Sequence, residues 1–417
     1  MAVSETDKTI LRGLAQQQAD IAALPVHKET VRQWSRLNGL RPGRPLVCIA
    51  EIPWNEMDVD RELELQTSDA FCRRIEEDIR YRLYQWRHMP ADMVVEDRLY
   101  SPLAVSNTGL GLDAVVDVLR TDETSSVMSH RYRNLIKDES DVAKIHAPQV
   151  THDVKESDRR YELMRDIFDG IIRVEQRGVM MRAFCPCDML AERWDPQQLL
   201  LDLALKPDLV HAGLERMTEA CLGWLAQWEE LGVLALNNCN FRAGTGGLGY
   251  TDELPGEDFD PAHVRPANQW GLAMAQIFSE VSPAMHEEFA LSYERRWLKL
   301  FGLAYYGCCE PLHLKIDIVK SIPNLRKISV SPRADVAVAA GKIGDRYVLS
   351  LKPNPAVLAW DTWRPELARE VLRESLEQAR GCVVEVIMKD ISTVRYEPQR
   401  LWEWAQIAME ETAAFAI

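Results

Sequence analysis

Short apolar runs alternate with amphipathic stretches along almost the whole chain. Eight runs rich in Val, Ile, Leu and aromatic residues, at 46–51, 92–96, 178–184, 232–237, 302–307, 326–331, 346–351 and 382–388, have the length and composition of buried strands. Between them apolar residues recur at the three-and-four spacing of a helix that buries one face, most clearly at 69–87, 156–176, 207–229, 283–299, 364–380 and 397–412. Strands alternating with helices predict a parallel sheet covered by those helices. Eight such units, with no Gly-x-Gly-x-x-Gly after the first, favour an α/β fold of the (β/α)8 TIM-type barrel class over a doubly wound sheet, spanning 45–417. Residues 1–44 read as a helical, polar extension outside the barrel, ending in the turn-like Arg41-Pro42-Gly43-Arg44-Pro45.

Charge narrows the partners. The 49 basic and 64 acidic residues give a net charge of -15, which disfavours nucleic acid and anionic membrane surfaces and suits a neutral or cationic small-molecule substrate. No apolar run approaches the roughly 20 residues needed to span a bilayer, and the first residues are polar, so a cytoplasmic protein is expected, compatible with a homodimer. Nine cysteines, an odd number in that setting, read mainly as reduced core thiols with a minority available for chemistry.

In a parallel barrel, chemistry gathers at the carboxyl ends of the strands. The richest such end is Tyr305-Tyr306-Gly307-Cys308-Cys309-Glu310-Pro311-Leu312-His313. Cys308, Cys309, Glu310 and His313 supply the sulfur, oxygen and nitrogen donors that zinc accepts together. Neighbours on an extended chain point oppositely, so both thiols reach one ion only if the turn bends sharply; otherwise they pack as small apolar groups and His313 caps the next helix. Lys352, Glu385, Lys389 and Asp390 are candidate catalytic groups, able to hold an anion or move a proton. Glu51, Trp54, Asn237, Asn238, Tyr306 and Asn354, near other strand ends, are candidate substrate contacts. The run Arg242-Ala243-Gly244-Thr245-Gly246-Gly247-Leu248-Gly249-Tyr250 reads as a mobile lid or an anion cradle, without the spacing of a phosphate-binding loop. Cys185-Pro186-Cys187 reads as strand-end packing.

From about residue 45 onward the chain resembles the uroporphyrinogen decarboxylase superfamily. The likeness is carried by Met274-Ala275-Gln276-Ile277-Phe278-Ser279-Glu280-Val281-Ser282-Pro283, Glu287-Glu288-Phe289, the Tyr-Tyr-Gly-Cys-Cys-Glu strand, Leu351-Lys352-Pro353-Asn354-Pro355 and Met388-Lys389-Asp390-Ile391-Ser392-Thr393-Val394. The resemblance implies a (β/α)8 barrel that houses either cofactor-free porphyrinogen decarboxylases or zinc-dependent methyltransferases working with a corrinoid or a thiol coenzyme. In the methyltransferase branch a His-x-Cys pair ends the strand, and Tyr306-Gly307-Cys308 stands there in this chain. That branch also has a cysteine near the end of the last strand, where this chain reads Val386-Ile387-Met388-Lys389-Asp390. The arginine-rich loop of the decarboxylase branch is replaced by Ile52-Pro53-Trp54-Asn55-Glu56-Met57-Asp58, whose acids repel a polycarboxylate. The resemblance therefore implies a zinc-assisted methyltransferase with a corrinoid protein as methyl acceptor. A metal-free decarboxylase of a small acid and a tetrapyrrole- or corrinoid-binding protein are the competing readings.

Overall fold

The computed structural model describes residues 3–58, 60–119, 129–180 and 183–415. Its centre is a seven-stranded, all-parallel sheet: β1 (Leu46–Ile49), β2 (Ala183–Phe184), β3 (Trp270–Ala273), β4 (Leu303–Tyr306), β5 (Leu325–Val330), β6 (Val348–Leu351) and β7 (Val383–Met388), in the spatial order β1-β7-β6-β5-β4-β3-β2. Five of these strands lie where the periodicity places them with both ends close, while β2 keeps only the end of 178–184. The run 232–237 forms a single bridge, Leu234 to Val179, and the place beside β2 is taken by Trp270–Ala273, a four-residue strand between the 232–237 and 302–307 runs that the periodicity does not mark.

No backbone ladder joins β1 to β2 among the described residues. The 92–96 run, expected as a strand, is irregular; it is tied to β1 by Asp92 N donating to Val47 O at 3.1 Å and to the 237–250 segment by Asn240 Nδ2 donating to Val94 O at 2.9 Å. The helix expected over 156–176 stops at Phe168, and Arg173–Arg177 instead pairs in parallel with Arg98–Pro102.

Successive strand side chains face opposite sides, and the two sets fall into different packed clusters. Ala304, Tyr306, Ile328, Val330, Leu349, Leu351, Val384, Val386 and Met388 pack against the surrounding helices in the main core. The other set is more polar: Tyr305, Lys327, Ser329, Ser350, Lys352, Glu385 and Lys389 are all buried on the inner side. Lys327 and Glu385, both fully buried, form an ion pair at 2.7 Å, and Tyr305 OH donates to Ser350 Oγ at 2.9 Å.

The amino-terminal helices α1 (Glu5–Ala22) and α2 (Val26–Asn38) are integrated with the rest. Leu11, Leu14 and Ala15 of α1 share a cluster with Cys72, Ile79 and Leu83 of α3 (Ala70–His88) and with Met164, Ile167 and Phe168. Trp34 of α2 is fully buried among Leu46 and Val348, and its Nε1 donates to Asp92 O at 2.8 Å. No described helix is long and apolar enough to cross a membrane.

Candidate active site

The turn after β4 is built by Gly307, whose φ of +96° redirects the chain as the strand ends. A side chain there would meet Leu312 Cδ1 at 2.5 Å and Ser329 Cβ at 3.0 Å, so glycine is required twice over. The bend brings Cys308 and Cys309 to the same side, with their sulfurs 3.5 Å apart. The Cys308 carbonyl is gripped by Ser329 Oγ at 2.7 Å and Lys352 Nζ at 3.0 Å, which fixes the turn to β5 and β6.

Facing this turn is the end of β7. Lys389 Nζ lies 3.7 Å from Cys308 Sγ, 2.6 Å from Asp390 Oδ2 and 3.1 Å from Glu51 Oε2. Asp390 Oδ2 is 3.6 Å from Cys309 Sγ, and Arg242 Nη1 pairs with the other Glu51 oxygen at 3.1 Å. Glu51 and Asp390 both have left-handed backbones, φ +53° and +55°, a strained geometry that the surrounding ion pairs hold in place. One thiol pair, two cations and two carboxylates thus meet at the ends of β1, β4 and β7. Met274, Leu272 and Cys185 form the apolar wall against Cys308, which is 5% exposed.

The electrostatics separate the two thiols. The contact with Cys309 and the ammonium groups of Lys352 and Lys389 lower the Cys308 thiol to about 7, against the opposing effect of burial. The same contact, with burial and Asp390, pushes Cys309 well up. Burial works against the Lys389 ammonium, but the Cys308 sulfur, Asp390 and Glu51 raise it above its ordinary value. The arrangement favours an ammonium–thiolate pair from about neutral pH upward, with the Cys309 thiol beside it held neutral.

Several expected site residues are committed elsewhere. Glu310 is fully buried and its carboxylate accepts Cys308 N at 2.9 Å and Ala275 N at 3.2 Å, so it braces the turn from beneath. His313 stands apart from the thiols, half-buried, its Nδ1 without a hydrogen-bond partner among the described residues. A structural zinc ligand set needs about four converging donors and a catalytic one about three. Among the described residues no three His, Cys, Asp or Glu side chains are so grouped, and an ammonium occupies the neighbourhood of the Cys308 sulfur. The residues present do not fit zinc.

Asn237 replaces a missing piece of ladder: its Nδ2 donates to Met180 O and Trp270 O, while its Oδ1 accepts Trp270 N. Asn238 donates to Leu254 O, and exposed Asn354 caps the turn at 355–359 by accepting Ala356 N. Trp54 stacks on Tyr81 at 4.1 Å, and Tyr306 faces the helices, bonding His286 at 2.6 Å and Glu294 at 2.7 Å. Glu385 is locked to Lys327 below the mouth. Lys352 is near the thiols but saturated, giving hydrogen bonds to Thr245 Oγ1, Ser329 Oγ and Cys308 O.

The glycine-rich run, read as a lid or anion cradle, is an internal plug. A Cβ on Gly244 would strike Tyr305 at 2.5 Å, on Gly246 Glu385 Oε1 at 2.2 Å, and on Gly247 Trp34 at 2.2 Å. Thr245 from this plug bonds Gly307 O at 3.1 Å and Tyr305 OH at 3.2 Å, and Arg242 holds the Gly246 and Thr245 carbonyls while reaching Glu51. Arg242 and Thr245 lie in the run that sequence reasoning singled out but were not themselves picked as site residues; the glycines around them are the signal, since they mark close approach as readily as mobility.

No protein-family profile matches the chain, and no curated protein does. Among solved structures, the chain is similar to a methyltransferase from Methanosarcina mazei, with a TM-score of 0.52 and 13% identity, covering 91% of this chain and 97% of that one. At that identity the likeness establishes a shared fold over nearly the full length of both.

Proposed function

We propose that this protein is a methyltransferase-type enzyme in which the Cys308 thiolate is the nucleophile that receives a methyl group from a small methylated substrate. The observation that carries the reading is the Lys389 ammonium 3.7 Å from the Cys308 sulfur, at strand ends, within a ring of paired charges. The sulfur attacks the methyl carbon, the bond from that carbon to the donor heteroatom breaks, and the electron pair stays on the heteroatom. Lys389 is held as an ammonium by Asp390, Glu51 and the Cys308 sulfur, and it meets that charge with the donor freed when methylation removes the negative charge from the sulfur. The shared fold with a methyltransferase supports the reaction class. A corrinoid protein is the proposed final acceptor, on the strength of the resemblance.

The same reading takes the sheet as a closed barrel in which 92–96 fills the eighth place, supported by its hydrogen bonds to β1 and to the 237–250 segment. It disfavours the decarboxylase alternative, because Lys352 spends its donors inside the protein and leaves no lysine pair for a substrate carboxylate.

The test uses the purified full chain, a set of methyl donors (methanol, methylamines, methoxyarenes and methyl thioethers) and reduced cobalamin as acceptor. Turnover should fall at least about a hundredfold in Cys308→Ser, and peptide mass spectrometry should find the methyl group on Cys308 when the acceptor is omitted. Undiminished turnover in Cys308→Ser overturns the proposal.

A further inference from the structure

A cleft of about 250 Å³ opens in the wall between β1, α3 and the 240–248 segment, where the backbone ladder is interrupted. Its apolar lining comes from Val47, Ile49, Met93, Val94 and Leu248, and four charged groups also line it: Asp78, Arg82, Asp92 and Arg242. Two of these are already neutralised. Asp92 takes both guanidinium arms of Arg44, and Arg242 is paired with Glu51. The other two act on each other only at longer range, without ion-pair contact. Arg82 gives one hydrogen bond, to the neutral amide of Gln18 at 2.6 Å, and among the described residues neither Arg82 nor Asp78 has an ion-pair partner.

This is unexpected from spacing alone, because Asp78 and Arg82 stand one helical turn apart, the separation at which opposite charges on a helix ordinarily pair. Here they stay apart on the wall of one cleft. Asp78 is exposed at the rim of the cleft and Arg82 half-buried; the surrounding protein raises the Asp78 carboxyl and lowers the Arg82 guanidinium, and the attraction of each for the other opposes this only in part. A cation alone or an anion alone would satisfy one and leave the other. A molecule carrying both charges satisfies both, and the cleft's balanced charge, on a protein of net charge -15, gives a free anion no advantage.

We propose that this cleft binds a small zwitterion, its carboxylate on Arg82 and its cationic end on Asp78, with the apolar lining taking its hydrocarbon part. The volume, just under the usual range for ligand pockets, limits the guest to amino-acid size. Because Arg242 borders the cleft and holds Glu51, which in turn holds Lys389, the bound molecule would lie beside the thiol cluster. The inference stands on the cleft's own charges and does not depend on the thiol chemistry.

Isothermal titration of the full chain with 4-aminobutanoate and with L-leucine tests it, using butanoate and butylamine as the two half-molecules. At least one zwitterion should bind wild type, and neither half-molecule should reach a tenth of its affinity. Asp78→Asn and Arg82→Gln should each weaken binding about tenfold or more, while Arg82→Lys retains part of it; thermal unfolding confirms that each variant is folded. The proposal is overturned if neither zwitterion binds, if a half-molecule binds as well, or if the folded variants bind like wild type. Cys308→Ser should leave this binding unchanged, which separates the cleft from the proposed reaction.

Discussion

Lys389 is one of the groups that lower the Cys308 thiol, after the Cys309 contact and Lys352, and that makes the pair testable without knowing the substrate. The thiolate is the reacting form and a neighbouring ammonium stabilises it, so removing the ammonium raises the thiol and reduces the thiolate present at a given pH. Alkylation of Cys308 by iodoacetamide should therefore rise through about pH 7 in wild type and follow a profile displaced to higher pH in Lys389→Met. An unchanged profile in that variant would show that Lys389 does not act on the sulfur. Lys327 and Glu385 are a second residue-scale case, with the opposite purpose. Their pair is fully buried, and Glu385 Oε1 has no other partner among the described residues. Lys327→Met leaves a buried carboxylate uncompensated and should cost about 3–5 kcal/mol in urea unfolding, much of it recovered in Lys327→Met/Glu385→Leu. The thiols and lysines were legible in the sequence as chemically capable residues; which of them face one another was not, because that depends on the turn at Gly307.

Elements explain the glycines. In the 242–250 plug, glycine is there for close approach: Gly246→Ala places a methyl group against Glu385 and Tyr305, and should cost about 1–3 kcal/mol as well as loosening the Thr245 contact with Lys352. Gly341, inside the helix Val336–Ile343, has nothing within 4 Å of a Cβ, so Gly341→Ala should instead stabilise the protein by up to about 1 kcal/mol. Thermal unfolding of the two variants side by side checks both signs. Strands β4 to β7 and their covering helices were readable because each carries its own apolar run or periodic face. Strand β3 was not, since Trp270–Ala273 is only four residues long, and part of its pairing to the β2 side is made by the Asn237 side chain.

For the whole molecule, the amino-terminal segment is the informative part. Trp34 is fully buried against the plug and the strand starts, so Trp34→Ala should cost about 3–5 kcal/mol, and removal of residues 1–44 should expose the α3 face to proteolysis. If that truncated chain unfolds with wild-type stability, the integration of α1 and α2 described above is mistaken. By itself the sequence determined the alternation of strands and helices, hence a parallel sheet, and the clustering of reactive side chains near strand ends. Those properties are local: a run of apolar residues or a three-and-four spacing expresses a preference without knowing its neighbours. Only the tertiary structure decided that the glycine-rich run fills the interior, that Glu310 serves two backbone amides, that Asn237 stands in for a strand, and that Lys389 rather than a metal donor faces Cys308. Each of those facts joins residues tens to hundreds of positions apart or turns on a single bent glycine, and the free energy that selects them comes from burying charges and polar groups with particular partners.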